Sequence, residues 1–130
     1  MRVQILPPGR CPLSGYEELS TILIQYEFPS GTQGSMHPNP GRSYRGTSRT
    51  AFLPMNVEGI EVLELLKRSF RRRRSFTVGT SITTGQSNCV IWNGVHHKTN
   101  THGGCSCFGY PDPTYFSRVK EELAAKGIIP

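Results

Sequence analysis

No stretch of this sequence approaches the roughly 20 consecutive apolar residues needed to span a bilayer. The first eight residues, Met1-Arg2-Val3-Gln4-Ile5-Leu6-Pro7-Pro8, hold too short an apolar run for a signal peptide. The expectation is a cytoplasmic or nuclear protein with no membrane partner. Cysteine is present but not in pairs that close a structural zinc site: Cys11, Cys89, Cys105 and Cys107 contain no C-x-x-C. Cys105 and Cys107 are two apart, awkward for bonding to each other, and all four read as free thiols. His96, His97, His102, Cys105 and Cys107 fall close together, but their spacing does not match a zinc motif, and no metal is expected. There is no G-x-S-x-G, no Walker lysine and no G-x-G-x-x-G opening a helix. Adjacent carboxylates occur only as Glu17-Glu18 and Glu121-Glu122, each compatible with surface decoration.

What is present fits one modest domain of 130 residues. Fourteen Gly and ten Pro give loops a large share of the chain. The net charge is +6, and removing the four charges of Arg71, Arg72, Arg73 and Arg74 leaves +2. That block reads either as weak attraction for phosphate or nucleic acid, or as a solvated helix end that complements the macrodipole.

Residues 21–28, TILIQYEF, place Ile22, Ile24, Tyr26 and Phe28 on one face, the alternation of a half-buried strand. Residues 31–49 show little periodicity, and Asn39-Pro40-Gly41 is turn chemistry, so a long loop is expected. Its His37, Tyr44, Arg45 and Arg49 could contact a ligand. Residues 58–70 read as a helix with Ile60, Leu63, Leu66 and Phe70 inward, widened by Val62 and Leu65, and with a Glu64–Arg68 pair outside. Residues 75–79 and 88–92 are short β-prone segments with turn residues 83–86 between them. Residues 96–109 read as loop. A last helix is expected over 113–126, with Asp112 as cap, Pro113 at its first position, and Gly127 just past its end. The architecture is α+β: a small sheet, two main helices and long loops.

Two segments attract attention chemically. Residues 77–85 offer hydroxyls and glycine-flanked amides that can cradle a phosphate, or simply make a hairpin turn. Adjacent His96 and His97 should point to opposite sides, one packed inward and one toward solvent.

The chain resembles the Deltex C-terminal domain. The resemblance is carried by PSGTQG (29–34), HPNPG (37–41), VLELLK (62–67), FTVGTS (76–81), TTG (83–85), IWN (91–93), HHKT (96–99), GYPDP (109–113) and ELAA (122–125), in the family's order. It covers nearly the whole chain and assigns residues 1–130 to that one domain. It implies a module of RING-type E3 ubiquitin ligases tied to Notch signalling and DNA damage. Its groove takes ADP-ribose or NAD as ligand, with no cofactor required. The implied partners are ADP-ribosylated proteins, a RING-bearing ligase and E2-ubiquitin. The implied ligand-binding residues are Thr80, Ser81, Thr83, Thr84, Gly85, Trp92, His96, His97, Lys98, Gly109 and Tyr110. Glu122 matches the family's catalytic glutamate. Two positions depart: Phe108 stands where several members carry a histidine tied to ubiquitin transfer onto ADP-ribose, and Ile82 where a serine is common. No RING is present. The competing expectation is a protein-interaction domain with a degraded groove.

Overall fold

The computed structural model describes residues 1–80 and 85–130. The backbone of the fold is a three-stranded antiparallel sheet in the order β1-β2-β5, made of β1 (Arg2–Leu6), β2 (Thr21–Phe28) and β5 (Thr47–Pro54). Between β2 and β5 the chain makes a small pair, β3 (Gly31–Thr32) with β4 (Ser43–Tyr44). Helix α1 (Val57–Arg71) follows, then the hairpin β6 (Phe76–Gly79) and β7 (Cys89–Trp92). A 3-10 turn at Cys105–Cys107 and helix α2 (Tyr115–Ala124) complete the domain.

The alternation in β2 becomes the core. Ile22, Ile24 and Tyr26 are fully buried and join Leu53 and Ala51 of β5, whose register sets Ile22 opposite Leu53 and Ile24 opposite Ala51. Val62, Leu65 and Leu66 of α1 and Phe116, Val119 and Leu123 of α2 close over that face.

Several expectations need correction. The stretch over 31–49 is not one loop: it contains β3 and β4 and enters β5. Strand β5 reads TSRTAFLP, and its first half is polar and exposed while its core contacts include a small alanine, so its alternation is faint. Strand β1 is an edge strand, mostly exposed, and carries no amphipathic signal for the same reason. In α1, Ile60 is exposed, and Ser69 occupies the buried stripe through a hydrogen bond to Ser75 at 2.8 Å. Glu64 pairs with Lys67, while Arg68 turns away to the carbonyl of Ile129. Helix α2 starts at Tyr115 rather than at Pro113, with Thr114 at its N-cap position; Asp112 still serves the turn before it, since its Oδ1 accepts from the Thr114 N–H at 3.3 Å while Oδ2 takes Lys98 and Arg118.

The two helices end alike. Past α2, the Gly127 N–H bonds the Ala124 carbonyl and the Ile128 N–H bonds the Leu123 carbonyl, both at 2.9 Å. Gly127 sits at φ +78° and Ile128 packs in the core with Leu123, which is a Schellman closure. Past α1, Arg73 and Arg74 bond the carbonyls of Phe70 and Ser69 in the same pattern, with Arg73 at φ 57° in the place that favours glycine.

Candidate functional site

The β6–β7 hairpin sets Phe76 directly opposite Trp92. Their rings stack at 4.5 Å, and Trp92 stacks in turn on His97 at 4.2 Å. Tyr26 meets Phe76, Trp92 and His97 edge-on. This aromatic wall borders a groove of about 600 Å³. Thr80, His96, Thr99 and Phe108 supply other parts of its lining. Among the described residues its one fixed charge is Arg49, from the polar half of β5 and opposite Tyr26 in the register.

The paired histidines divide as expected. His97 is buried, and its Nδ1 is 2.9 Å from the Val95 carbonyl, so Nδ1 carries the proton. Nε2 then accepts from the Tyr26 hydroxyl at 2.8 Å. Burial, which outweighs the Val95 bond, lowers the pKa of His97 to about 4, so the ring is neutral at physiological pH. Burial also pushes the Tyr26 hydroxyl up, which keeps it a donor. His97 therefore has both nitrogens spent and offers the groove a neutral ring face.

His96 is the exposed one. Glu122 reaches it from α2: Oε1 accepts from the His96 backbone N–H at 3.0 Å and Oε2 pairs with its Nδ1. The Tyr115 hydroxyl donates to the His96 carbonyl at 2.8 Å. With Nδ1 committed to a carboxylate, Nε2 is the ring nitrogen left for a ligand at the groove edge.

Other residues singled out in the sequence build the frame instead. Lys98 is buried and bonds Asp112 at 2.7 Å, and Arg118 bonds the same carboxylate. Burial alone would raise the Asp112 pKa, but the bonds and charges of Lys98 and Arg118 prevail and hold it down to about 2. Tyr110 is fully buried with its hydroxyl donating to the Phe52 carbonyl at 2.7 Å. Gly109 lets the 102–109 loop fold on itself: a Cβ there would stand 2.0 Å from the His102 carbonyl oxygen. Gly85 is exposed and does not line the groove. Ser81, Thr83 and Thr84, with Ile82, lie outside the described residues.

The structure thus brings Thr80, Trp92, His96 and His97 to one groove, with Glu122 fixing His96, and leaves Lys98, Gly109 and Tyr110 out of its lining. Phe76 and Ile91 join the lining without having been singled out as ligand contacts. Their signal was the strand pairing that sets them across from Trp92 and Thr77. Phe108 is 60 % exposed and lines the groove, whereas His102 does not, its ring being near its neighbour Thr101. Among the described residues no three His, Cys, Asp or Glu side chains converge as metal ligands, and no helix is long and apolar enough to cross a membrane.

Such a site suits a flat, polar, anionic ligand. Ring faces take a base or sugar, a guanidinium takes a phosphate, and a carboxylate-held imidazole takes a hydroxyl.

Comparison with known proteins shows the family of the chain. A family model described as the Deltex C-terminal domain matches residues 4–128. A human protein named "Probable E3 ubiquitin-protein ligase DTX3" is 57% identical over 116 residues, covering 89% of this chain and 33% of that protein. A Xenopus laevis protein named "E3 ubiquitin-protein ligase DTX1" is 44% identical over 132 residues, covering 95% of this chain and 21% of that protein. A mouse protein named "E3 ubiquitin-protein ligase DTX4" is 46% identical over 131 residues, with 94% and 21% covered. The chain therefore spans a third or less of the length of these relatives.

Proposed function

Because the chain belongs to the Deltex C-terminal domain family, we propose that it is the ADP-ribose-binding module of a Deltex-type E3 ubiquitin ligase, presenting ADP-ribosylated proteins to a RING and its E2-ubiquitin. NAD, which carries the same ADP-ribose group, is the related small ligand. The cytoplasm or nucleus is the setting for this role.

The observation that carries the reading is the convergence of the Phe76–Trp92–His97 wall, the Arg49 charge and the Glu122-held His96 on one groove. In this reading the aromatic wall takes the adenine or ribose faces. Arg49 sits where a pyrophosphate charge would be met, and His96 Nε2 accepts from a ribose hydroxyl. His97 and Tyr26, each satisfied internally, keep the wall rigid without competing for the ligand.

The site reads as one for binding before transfer. A general base must titrate and must reach the proton it removes. Phe108 can do neither, though it can stack on a ring. The Glu122 carboxylate is already engaged with His96.

The deciding experiment is calorimetric titration with ADP-ribose and with NAD. Saturable binding is expected, weakened by His96→Ala by about 1–3 kcal/mol through the hydrogen bond lost. No heat of binding at millimolar ADP-ribose would overturn the reading and favour a protein-interaction domain with a closed groove.

A further inference from the structure

A second hollow, of about 630 Å³, opens beside the end of α1. It shares Phe76 and Val90 with the groove already described, so the β6–β7 hairpin contributes to both. Its floor is apolar: Phe28 and Phe70 pack at 5.8 Å, Phe28 and Phe76 at 4.5 Å, and Val78 and Val90 complete the floor. Met36 stands at the lining with 94 % of its surface exposed.

The arginines at the helix end divide around this hollow. Arg68 and Arg72 donate to the carbonyls of Ile129 and Gly127 and so tie down the C-terminal segment. Arg71 and Arg73 line the hollow instead. Their side chains make no hydrogen bond or ion pair among the described residues. A helix end that needed cations only for its dipole would not require them to border an apolar cavity. Arg73 adopts φ 57° here, a conformation that side-chain-bearing residues take at a cost, and it leaves the guanidinium among the hollow's lining.

We propose that this hollow is a docking site for a short acidic peptide: an aliphatic or aromatic anchor residue in the Phe28–Phe70–Phe76 floor, with flanking Asp or Glu carboxylates on Arg71 and Arg73. The charge complementarity is direct, since two guanidinia with no partner among the described residues favour carboxylates in bidentate geometry. The exposed Met36 supplies an adaptable apolar surface that such an anchor would cover. Single-stranded nucleic acid, the other polyanion, fits less well. It asks for open ring faces on which bases stack. Here Phe28 is tilted by 52° and 56° against Phe70 and Phe76, so the floor presents no run of parallel ring faces.

The test is selection of the whole chain against a randomised dodecapeptide display library, followed by fluorescence polarisation with the selected peptide. Enrichment of an apolar residue flanked by two or more acids is expected. Affinity should fall about tenfold or more in the Arg71→Glu/Arg73→Glu double variant, as expected when rim carboxylates lose their partners. The charge-neutral Arg71→Gln/Arg73→Gln pair should fall in the same direction, with an unchanged circular dichroism spectrum and unchanged ADP-ribose titration. No enrichment, enrichment of sequences lacking acids, or binding untouched by both double variants would overturn the proposal. So would tight binding of oligo-dT that displaces the peptide and is lost in the same variants, because the face would then be a nucleic-acid surface.

Discussion

Glu122 holds His96 with both carboxylate oxygens, one on the backbone N–H and one on the imidazole Nδ1. The pair fixes ring orientation and tautomer together. Replacing Glu122 with Ala should therefore act on the ligand more than on the fold. ADP-ribose affinity should fall about tenfold, equivalent to about 1.4 kcal/mol. The melting temperature should move little, because a side-chain pair at the surface, with His96 62 % exposed, contributes at most about 1 kcal/mol. Calorimetry and thermal melts on the same sample separate the two. A large loss of stability with retained affinity would assign Glu122 to the frame.

Acid should weaken the fold in two stages. His97 has a folded pKa near 4 against an ordinary 6.5, because burial disfavours its charge. Between those values the unfolded chain binds the proton and the folded chain does not. Stability is therefore complete above pH 6.5 and falls as pH drops toward 4, by about 3 kcal/mol if this group acts alone. Asp112, held down to about 2 against 3.8, gives a contribution that is present above its ordinary value and is lost as pH falls from there toward 2. Urea midpoints measured across this range should show both stages. His97→Gln should flatten the first and leave the second.

Lys98 and Asp112 form a buried pair, and Arg118 adds a second cation on the same carboxylate. Removing Asp112 strands the Lys98 ammonium in the interior, so Asp112→Ala should cost about 3–5 kcal/mol. Denaturant unfolding reads this directly. At temperatures where the variant remains folded, its ADP-ribose affinity should be close to the parent's, which distinguishes a framework residue from a contact.

What the sequence reveals depends on which kind of signal a residue carries. Strand β2 and helices α1 and α2 were legible because each buries one face against the others, and burial writes a period of two or 3.6. Strand β5 buries Ala51 and Leu53 but begins Thr-Ser-Arg-Thr, so its pattern drowns in polar residues, of which Arg49 lines the groove. The site was legible as segments rather than as side chains. The sequence implied that one of His96 and His97 packs inward and the other faces solvent, yet only the fold shows which is which, that His97 is spent on Tyr26, and that Lys98 is sunk on Asp112. Arg49 is a similar case. The sequence offered it as one of four possible contacts in a stretch read as loop, and its place at the groove follows from its register opposite Tyr26 in β5.

Phe108 lines the groove, and in the proposed role it stands where the resemblance implies a histidine for transfer. Fused to a RING from a related ligase and supplied with charged E2, ubiquitin and ADP-ribose, the chain should give little ubiquitin–ADP-ribose. Phe108→His should raise the yield by about 10²-fold, the lower end of what a positioned base contributes. His102→Ala should change nothing, because that ring lies outside the groove lining. Abundant product from the unaltered fusion, lost on His102→Ala, would identify a substitute base and refute this expectation.

Arg73 closes α1 in a left-handed conformation without being glycine. Arg73→Gly should raise stability by about 0.5–1 kcal/mol, as relief of that backbone cost exceeds the added freedom of the unfolded chain. Equilibrium urea unfolding measures it. A loss of stability would mean that the Arg73 side chain packs more tightly over the hollow than its exposure indicates.

The stack of Trp92 on His97 also makes the molecule self-reporting. Trp92 is the one tryptophan in the chain, so all indole emission arises at the groove wall. One of its faces lies on a ring that stays neutral until mild acid, and a protonated imidazole in contact quenches indole light. Intrinsic fluorescence therefore follows, without any label, whether the groove is filled and whether the imidazole beneath the indole has gained its proton.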